Sequence, residues 1–396
     1  MTLAKLFEGW PREKLAQLHS DTSDPPVALC GHAYALKDQS YGSHGFSAVR
    51  RAIDQFQWLR GRSDAGLLWA SPTPRLLKWL GEFAPELIVS QTGNLAFLRL
   101  TREITEYTGA KLVIHASDDW VNDWPTNVTH KRIPVISNLI ARTTRGEFAE
   151  LVDIASSRLA ISTRMAEVYT QRYGSSWQVF CNAVDPRQWP VSQNAKGARS
   201  GPFRLLYTGS LVRTSQLDTV ILVAQAIAQL ASEGESVVLE LANPRVGTAY
   251  PAVLNELGVV RSDLVPQDLL PQKLAAADLL LLPVTFDPNS FHFIHLSIPG
   301  KTSEYMISGT PILAVGPALT ATISYASTEG WAEVVTDGRQ GAIAQAIRRL
   351  MNDAHLRTLL AHRAREIAMR DCDLTSMRPR FQAHLQELVL GVDHGS

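Results

Sequence analysis

Short apolar runs alternate with amphipathic helical segments along most of this chain, and the alternation breaks off once and then restarts. In the first half, strand-like runs lie at Val27–Cys30, Glu86–Ser90, Lys111–His115, Arg158–Ile161 and Trp177–Cys181. Helical patterns fall between them at Leu95–Tyr107, Ile136–Ala155 and Arg164–Tyr173. The stretch 185–202 (DPRQWPVSQNAKGARSGP) interrupts the rhythm with Pro, Gly, Ser and Asn, the composition of an interdomain linker. Strand-like runs then resume at Phe203–Tyr207, Val237–Leu241, Asp278–Val284, Pro311–Val315 and Glu333–Val335. Between them are helical patterns at Leu217–Ala231, Pro271–Ala277, Thr302–Ser308 and Ala342–Met351. Buried parallel strands read as continuous apolar runs because helices cover both sheet faces. The predicted fold class is therefore α/β, with two Rossmann-like, doubly wound domains. The expected division is 1–184, a linker at 185–202, 203–370, and a C-terminal helix at 371–396 that could cross back onto the first domain. Leu3–Leu18 reads as helix on both sides of Trp10-Pro11, so the first sheet is expected to lack a strand from residues before Val27.

Composition excludes several function classes. The 396 residues are 45% hydrophobic and 19% charged, a soluble globular profile. Lys+Arg and Asp+Glu both number 38, without the basic excess of a dedicated nucleic-acid binder. No run approaches the roughly 20 apolar residues of a spanning helix. The N-terminus lacks the apolar core of a signal peptide. Cys30, Cys181 and Cys372 are sparse, odd in number and without metal-ligand spacing, as expected of reduced thiols in a cytoplasmic protein. In that setting the Asn127-Val128-Thr129 sequon is accidental. Between Arg339 and Arg380, nine arginines against four acids leave a local excess of five positive charges. Either this face makes a weak peripheral contact with anionic lipid, or it is an ordinary solvated helical surface with internal ion pairs.

The segment richest in chemistry is Ser297–Val315, SIPGKTSEYMISGTPILAV. Pro299 and Gly300 break the chain, Lys301 begins a short helix, and Glu304 follows three residues later on nearly the same face. Gly309 ends the helix and Pro311 leads into a strand. A lysine at a helix start suits a diphosphate, and a carboxylate one turn on suits the vicinal hydroxyls of a ribose. Gly300-Lys301-Thr302 also looks like the end of a GxxxxGK[ST] phosphate loop, but that motif requires glycine where His295 stands. The plain alternative is a surface helix whose Lys301 and Glu304 are merely solvated.

In the first domain, IHASDDWVNDWP places Asp118, Asp119 and Trp120 in the loop after a strand that ends near His115. Adjacent carboxylates there could bind sugar hydroxyls or take a proton from an acceptor hydroxyl, and Trp120 or Trp124 offers a flat face for a sugar ring. An aspartate before a helix can equally be a simple N-cap. His115 either packs and hydrogen-bonds internally or faces the site. His292 and His295 have no spaced carboxylate or cysteine partner, and Asp118-Asp119 is not a D-x-D motif. No metal and no cofactor are expected.

YTGSL, AADLLLLP and PGKTSEYMISGTP, in that order, resemble the C-terminal donor domain of GT-B glycosyltransferases, in particular the retaining group called family 4. More loosely, ISTRMAEVYTQRYG followed by VFCNAVDPRQW is similar to the family's approach to the linker. The resemblance implies two Rossmann-like domains facing across a cleft and a nucleotide-sugar donor held mainly by the C-terminal half. Glu304 would hold the ribose, Lys301 and the backbone near Gly209 would approach the diphosphate, and Val265-Pro266-Gln267 would flank the base. Ser210, Arg213, Ser297, Gly300 and Thr302 complete the expected donor set. Asp118, Asp119 and His115 are the catalytic candidates. Many members carry Arg and Lys where Ser210 and Ser215 stand, with Arg213 the nearby cation here, and a glutamate where Leu296 stands. The implied activity is metal-independent transfer, with retention, to a saccharide, lipid-linked or other hydroxyl acceptor, as in polysaccharide biosynthesis. The alternatives are a non-catalytic relative that binds a sugar nucleotide or serves in assembly, and a sugar-nucleotide epimerase.

Overall fold

Strands send successive side chains to opposite faces, so a continuous apolar run implies that both faces are covered. The computed structural model describes residues 2–19, 29–36, 72–91, 93, 95–122, 134–189, 201–242 and 251–391. The chain divides into two units, Met1–Phe180 with Ser376–Ser396, and Cys181–Thr375.

In the first unit, β1 (Ala16–His19) pairs in parallel with β2 (His32–Ala35), with Ala16 opposite His32. A separate parallel sheet has the order β3 (Leu87–Ser90), β4 (Lys111–Ala116), β5 (Ser157–Ala160) and β6 (Gln178–Val179). Helices Leu95–Thr108, Pro134–Ile154 and Thr163–Tyr173 lie between its successive strands in the chain. The β1 strand corrects the reading of Leu3–Leu18 as helix on both sides of Trp10-Pro11, and it pairs with β2 and not with the four-stranded sheet. Helix stops at Phe7, Pro11 sits before a short 3-10 turn, and AQLH finds a distant partner in HAYA. The expected strand at Val27–Cys30 lies partly outside the described residues, and the strand observed nearby begins at His32. The C-terminal helix Leu374–Leu390 contributes Phe381, packed edge-on against both Phe7 and Phe180, and His384, whose Nε2 lies 2.7 Å from Ser157 Oγ.

The second unit holds a six-stranded parallel sheet. Its strands are β7 (Phe203–Thr208), β8 (Val237–Ala242), β9 (Val260–Ser262), β10 (Leu279–Pro283), β11 (Ile312–Val315) and β12 (Glu333–Val335), in the order β12-β11-β10-β7-β8-β9. The β10 run shows why the sequence reads as it does. Leu279 and Leu281 join the core on one face, while Leu280 and Leu282 join the core on the other. Each fully buried side chain of this size contributes about 1.5–3 kcal/mol. The order of strands places the first strand of this unit, β7, beside the fourth, β10. The winding direction reverses between them, and open sheets of this kind bind ligands beyond the strand ends at that switch point.

One buried charge stands out in this sheet. Glu240 on β8 is 4% exposed and is bonded by Arg204 and Lys273. Burial pushes its carboxyl up, but hydrogen bonds from these two cations outweigh that and bring its pKa down to about 2. A carboxylate held below its unfolded value stabilises fully above about pH 4.5, and that contribution is lost as pH falls toward 2. Glu240→Gln should cost about 3 kcal/mol at neutral pH. Urea unfolding from pH 6 to pH 2 should show the variant losing less stability on acidification than the wild type. Parallel curves would contradict this assignment.

The arginine-rich stretch is drawn into the fold. Arg339 pairs with Asp337, Arg348 with Glu233 and Glu235, and Arg349 with Glu333. Arg363 and Arg370 share Glu329, and Arg378 meets Glu8. Arg357, Arg365 and Arg380 donate to backbone carbonyls. Acids from outside the stretch therefore offset much of its local excess of charge. Flotation at low salt should recover equal amounts with neutral and anionic vesicles, and selective recovery with anionic lipid would overturn that expectation. Among the described residues, no helix is long and apolar enough to cross a membrane.

Candidate functional site

At the switch point the carboxyl end of β7 meets the helix Lys301–Ile307. Residues four apart on a helix share a face, and here Lys301 and Tyr305 both grip this strand end. Lys301 Nζ donates to Tyr207 Oη at 2.8 Å and to the Thr208 carbonyl at 2.7 Å, and sits 3.9 Å from the centre of the Tyr207 ring. Tyr305 Oη accepts from the Thr208 amide at 2.9 Å and lies 3.1 Å from Thr208 Oγ1. Tyr207 Oη in turn donates to the Ser210 carbonyl at 2.6 Å.

Gly209 is required by its backbone conformation and is closely approached by the lysine. Its φ of +108° lies in the region side chains avoid, and a Cβ there would stand 2.8 Å from Lys301 Nζ. An ammonium has three donors, and these contacts use two, which leaves one for a ligand oxygen. Burial lowers the Lys301 pKa to about 7, partly opposed by the Glu304 carboxylate. An arriving anion would favour the charged form and raise that value again.

Glu304 is half-buried, and Gln267 Nε2 donates to its Oε1 at 3.4 Å. The structure thus joins the expected base-flanking loop to the expected ribose carboxylate. In that loop Val265 packs against the core, while Pro266 and Gln267 are exposed. Gly300 is exposed at the helix start, and a Cβ there would lie 3.9 Å from Asn182. Asn182 Nδ2 donates to the Ile298 carbonyl at 3.1 Å and so steadies the segment before Lys301.

The other expected donor residues are less directly placed. Ser210 is exposed beside Gly209. Arg213 opens the π-helical turn Arg213–Leu217, and its side chain lies outside the described residues. The Ser215 carbonyl accepts from the Thr285 amide at 2.8 Å, tying that turn to the end of β10. Ser297 is half-buried and its carbonyl accepts from Thr322 Oγ1. Thr302 is 1% exposed, with its hydroxyl turned into the protein.

In the first unit, Asp118 and Asp119 part company. Asp118 is half-buried near Ser117 Oγ, at 3.4 Å. Asp119 is fully buried and accepts from Tyr169 Oη at 2.7 Å, Asn122 Nδ2 at 2.6 Å and Arg172 Nη1 at 3.2 Å. Burial, together with this carboxylate, pushes the Tyr169 hydroxyl well above its ordinary range. Asp119 therefore fastens the helix Thr163–Tyr173 to the end of β4. His115 is fully buried in β4, its Nε2 lies 3.4 Å from the Phe180 carbonyl, and burial lowers its pKa to about 4. It is a neutral, internal imidazole at ordinary pH. Trp120 is half-buried, and Trp124 lies outside the described residues. Tyr207, Tyr305 and Asn182 were not singled out from sequence. The Lys301/Tyr305 spacing was the available signal for one of them.

Comparison with known proteins concerns the fold. No family model matches the sequence, and no curated protein matches it. Among solved structures, sucrose-phosphate synthase from Thermosynechococcus elongatus aligns over 98% of this chain and 93% of its own, at 14% identity and a TM-score of 0.69. Anabaena HepE in complex with UDP-glucose aligns over 94% of this chain and 99% of its own, at 16% identity and a TM-score of 0.60. A trehalose 6-phosphate synthase from Burkholderia multivorans aligns over 91% and 85%, at 15% identity and a TM-score of 0.58. The chain has the fold of the GT-B glycosyltransferases, and identities this low speak for the fold alone.

Proposed function

We propose that this chain is a glycosyltransferase that takes its sugar from a nucleotide-sugar donor bound by the second unit. The observation that carries the reading is the convergence of Lys301, Gly209 and the Glu304–Gln267 pair at the switch point of the six-stranded sheet. Structural neighbours crystallised with UDP and UDP-glucose support a uridine-type donor. Sugar transfer builds negative charge on the departing diphosphate, and a preorganised cation with a free N–H stabilises that charge where it forms. Lys301 fills this role. Glu304 accepts from the ribose hydroxyls, and Val265–Gln267 flank the base.

Of the first-unit candidates, Asp118 is the carboxylate with access to solvent, so it is the one assigned to the acceptor hydroxyl. A saccharide or lipid-linked acceptor and transfer with retention follow from the family resemblance. Ser210 and Ser215, in place of cations, favour the second reading, a sugar-nucleotide binder without transfer. Release of nucleoside diphosphate with and without acceptor separates the two.

The ribose assignment has its own test. Glu304→Ala should weaken UDP-glucose binding by about 1–3 kcal/mol, roughly 5- to 150-fold in Kd, while leaving pyrophosphate binding unchanged. Calorimetry showing unaltered UDP-glucose affinity would remove Glu304 from the site.

A further inference from the structure

The chain enters the second unit at Cys181 and leaves it at Thr375, and a thiol pair stands beside these two connections. Cys181 Sγ lies 3.3 Å from Cys372 Sγ, although 191 positions separate them in sequence. Backbone pairing holds the flanking segments together. The Val184 amide donates to the Cys372 carbonyl at 2.9 Å, and the Leu374 amide donates to the Val184 carbonyl at 2.9 Å. The pair is asymmetric, because Cys181 is partly exposed whereas Cys372 is buried. Among the described residues, no group of three or more His, Cys, Asp or Glu could hold a metal ion, so a shared metal does not explain the two sulfurs.

We propose that Cys181 and Cys372 form an oxidation site that closes to an intramolecular disulfide tying together the two ends of the second unit. A disulfide needs its sulfurs about 2.05 Å apart, so closure asks for an approach of about 1.2 Å. The oxidant class is a small-molecule disulfide. The accessible Cys181 thiolate attacks one of its sulfurs, forming a mixed disulfide and releasing one thiol. Cys372, after losing its proton to solvent, attacks Cys181 Sγ and expels the second thiol. One oxidant disulfide becomes two thiols while two protein thiols become one disulfide, so atoms and electrons balance. Cys181 is the partly exposed partner, which assigns the first attack to it, and the adjacent Cys181 sulfur together with burial holds the Cys372 thiol above its ordinary range. The loop closed is long, so oxidation constrains the unfolded chain strongly and raises the thermal midpoint.

The experiment is titration of the folded, full-length chain with reduced and oxidised glutathione at fixed ratios. Remaining thiols are then alkylated under denaturing conditions and the protein is analysed by intact mass and peptide mapping. The proposal predicts loss of two thiols together, a cross-linked peptide containing positions 181 and 372, Cys30 still free, and a thermal midpoint several degrees higher. Cys372→Ser should instead accumulate glutathione on Cys181. Three free thiols at every ratio, or a stable glutathione adduct on wild-type Cys181 without the cross-link, would overturn it. If Cys372→Ser does not fold, Cys181→Ser decides. It should resist oxidation at Cys372, and wild-type-like oxidation there would also overturn the proposal.

Discussion

Lys301→Ala is expected to lower turnover of the nucleotide-sugar donor by roughly 10²- to 10³-fold, the scale for losing one preorganised stabiliser of developing negative charge. The ammonium is held by the Tyr207 hydroxyl and the Thr208 carbonyl before any ligand arrives, so little reorganisation is needed when charge develops. Arginine is a poor substitute because a planar guanidinium cannot reproduce a point ammonium that donates at once to the Tyr207 hydroxyl and the Thr208 carbonyl. Lys301→Arg should therefore resemble Lys301→Ala and not the wild type. The same residue sets a pH signature. With its pKa near 7 in the free protein and raised by a bound diphosphate, binding takes up a proton, and donor affinity falls as pH rises above about 7. Calorimetry in buffers of different ionisation enthalpy reads that proton directly. Turnover within a few-fold of wild type in a folded Lys301→Ala protein, or no proton uptake between pH 7 and pH 9, would contradict this role.

The second large effect is on stability. Asp119→Ala should destabilise the first unit by about 3–5 kcal/mol, because it strands the buried Tyr169 hydroxyl and removes the carboxylate facing Arg172. For a unit of this size, that corresponds to a fall of roughly 6–20 °C in its thermal midpoint. Tyr169→Phe is the milder control, since it removes the hydroxyl but leaves the Arg172 pair. Differential scanning calorimetry should rank wild type, Tyr169→Phe and Asp119→Ala in descending order. An Asp119→Ala protein as stable as wild type would mean that the carboxylate is not structural, and would return it to the catalytic candidates.

These residues show what could be read in the sequence and what could not. The strands β10 and β11 are legible because each is covered on both faces and carries an unbroken apolar run, and β7 and β8 remain legible although Arg204 and Glu240 interrupt theirs. β9 escaped because it is a three-residue edge strand whose first two residues are exposed. β1 was read as helix because Ala, Gln and Leu have good helical propensity, and its pairing with β2 is a tertiary contact no local window contains. The helix Pro74–Phe83 carries a start signal in its sequence, a Thr73 cap directly followed by proline. Lys301 and Glu304 are singled out in the sequence by their spacing and chemistry together with the family resemblance. That Asp119 turns inward and Asp118 does not was invisible, because adjacent residues on a loop share composition and differ only in where the backbone aims them. The partners that decide it, Tyr169 and Arg172, lie 50 and 53 positions away.

The central claim is that the second unit holds a nucleotide sugar, and isothermal titration of the wild-type chain with UDP-, GDP- and TDP-sugars tests it most directly. The account predicts that one of these classes, uridine first, binds with one site per chain and raises the thermal midpoint by mass action. It also predicts that Lys301→Ala and Glu304→Ala each weaken that binding. A folded wild-type chain that binds none of the three would contradict the account.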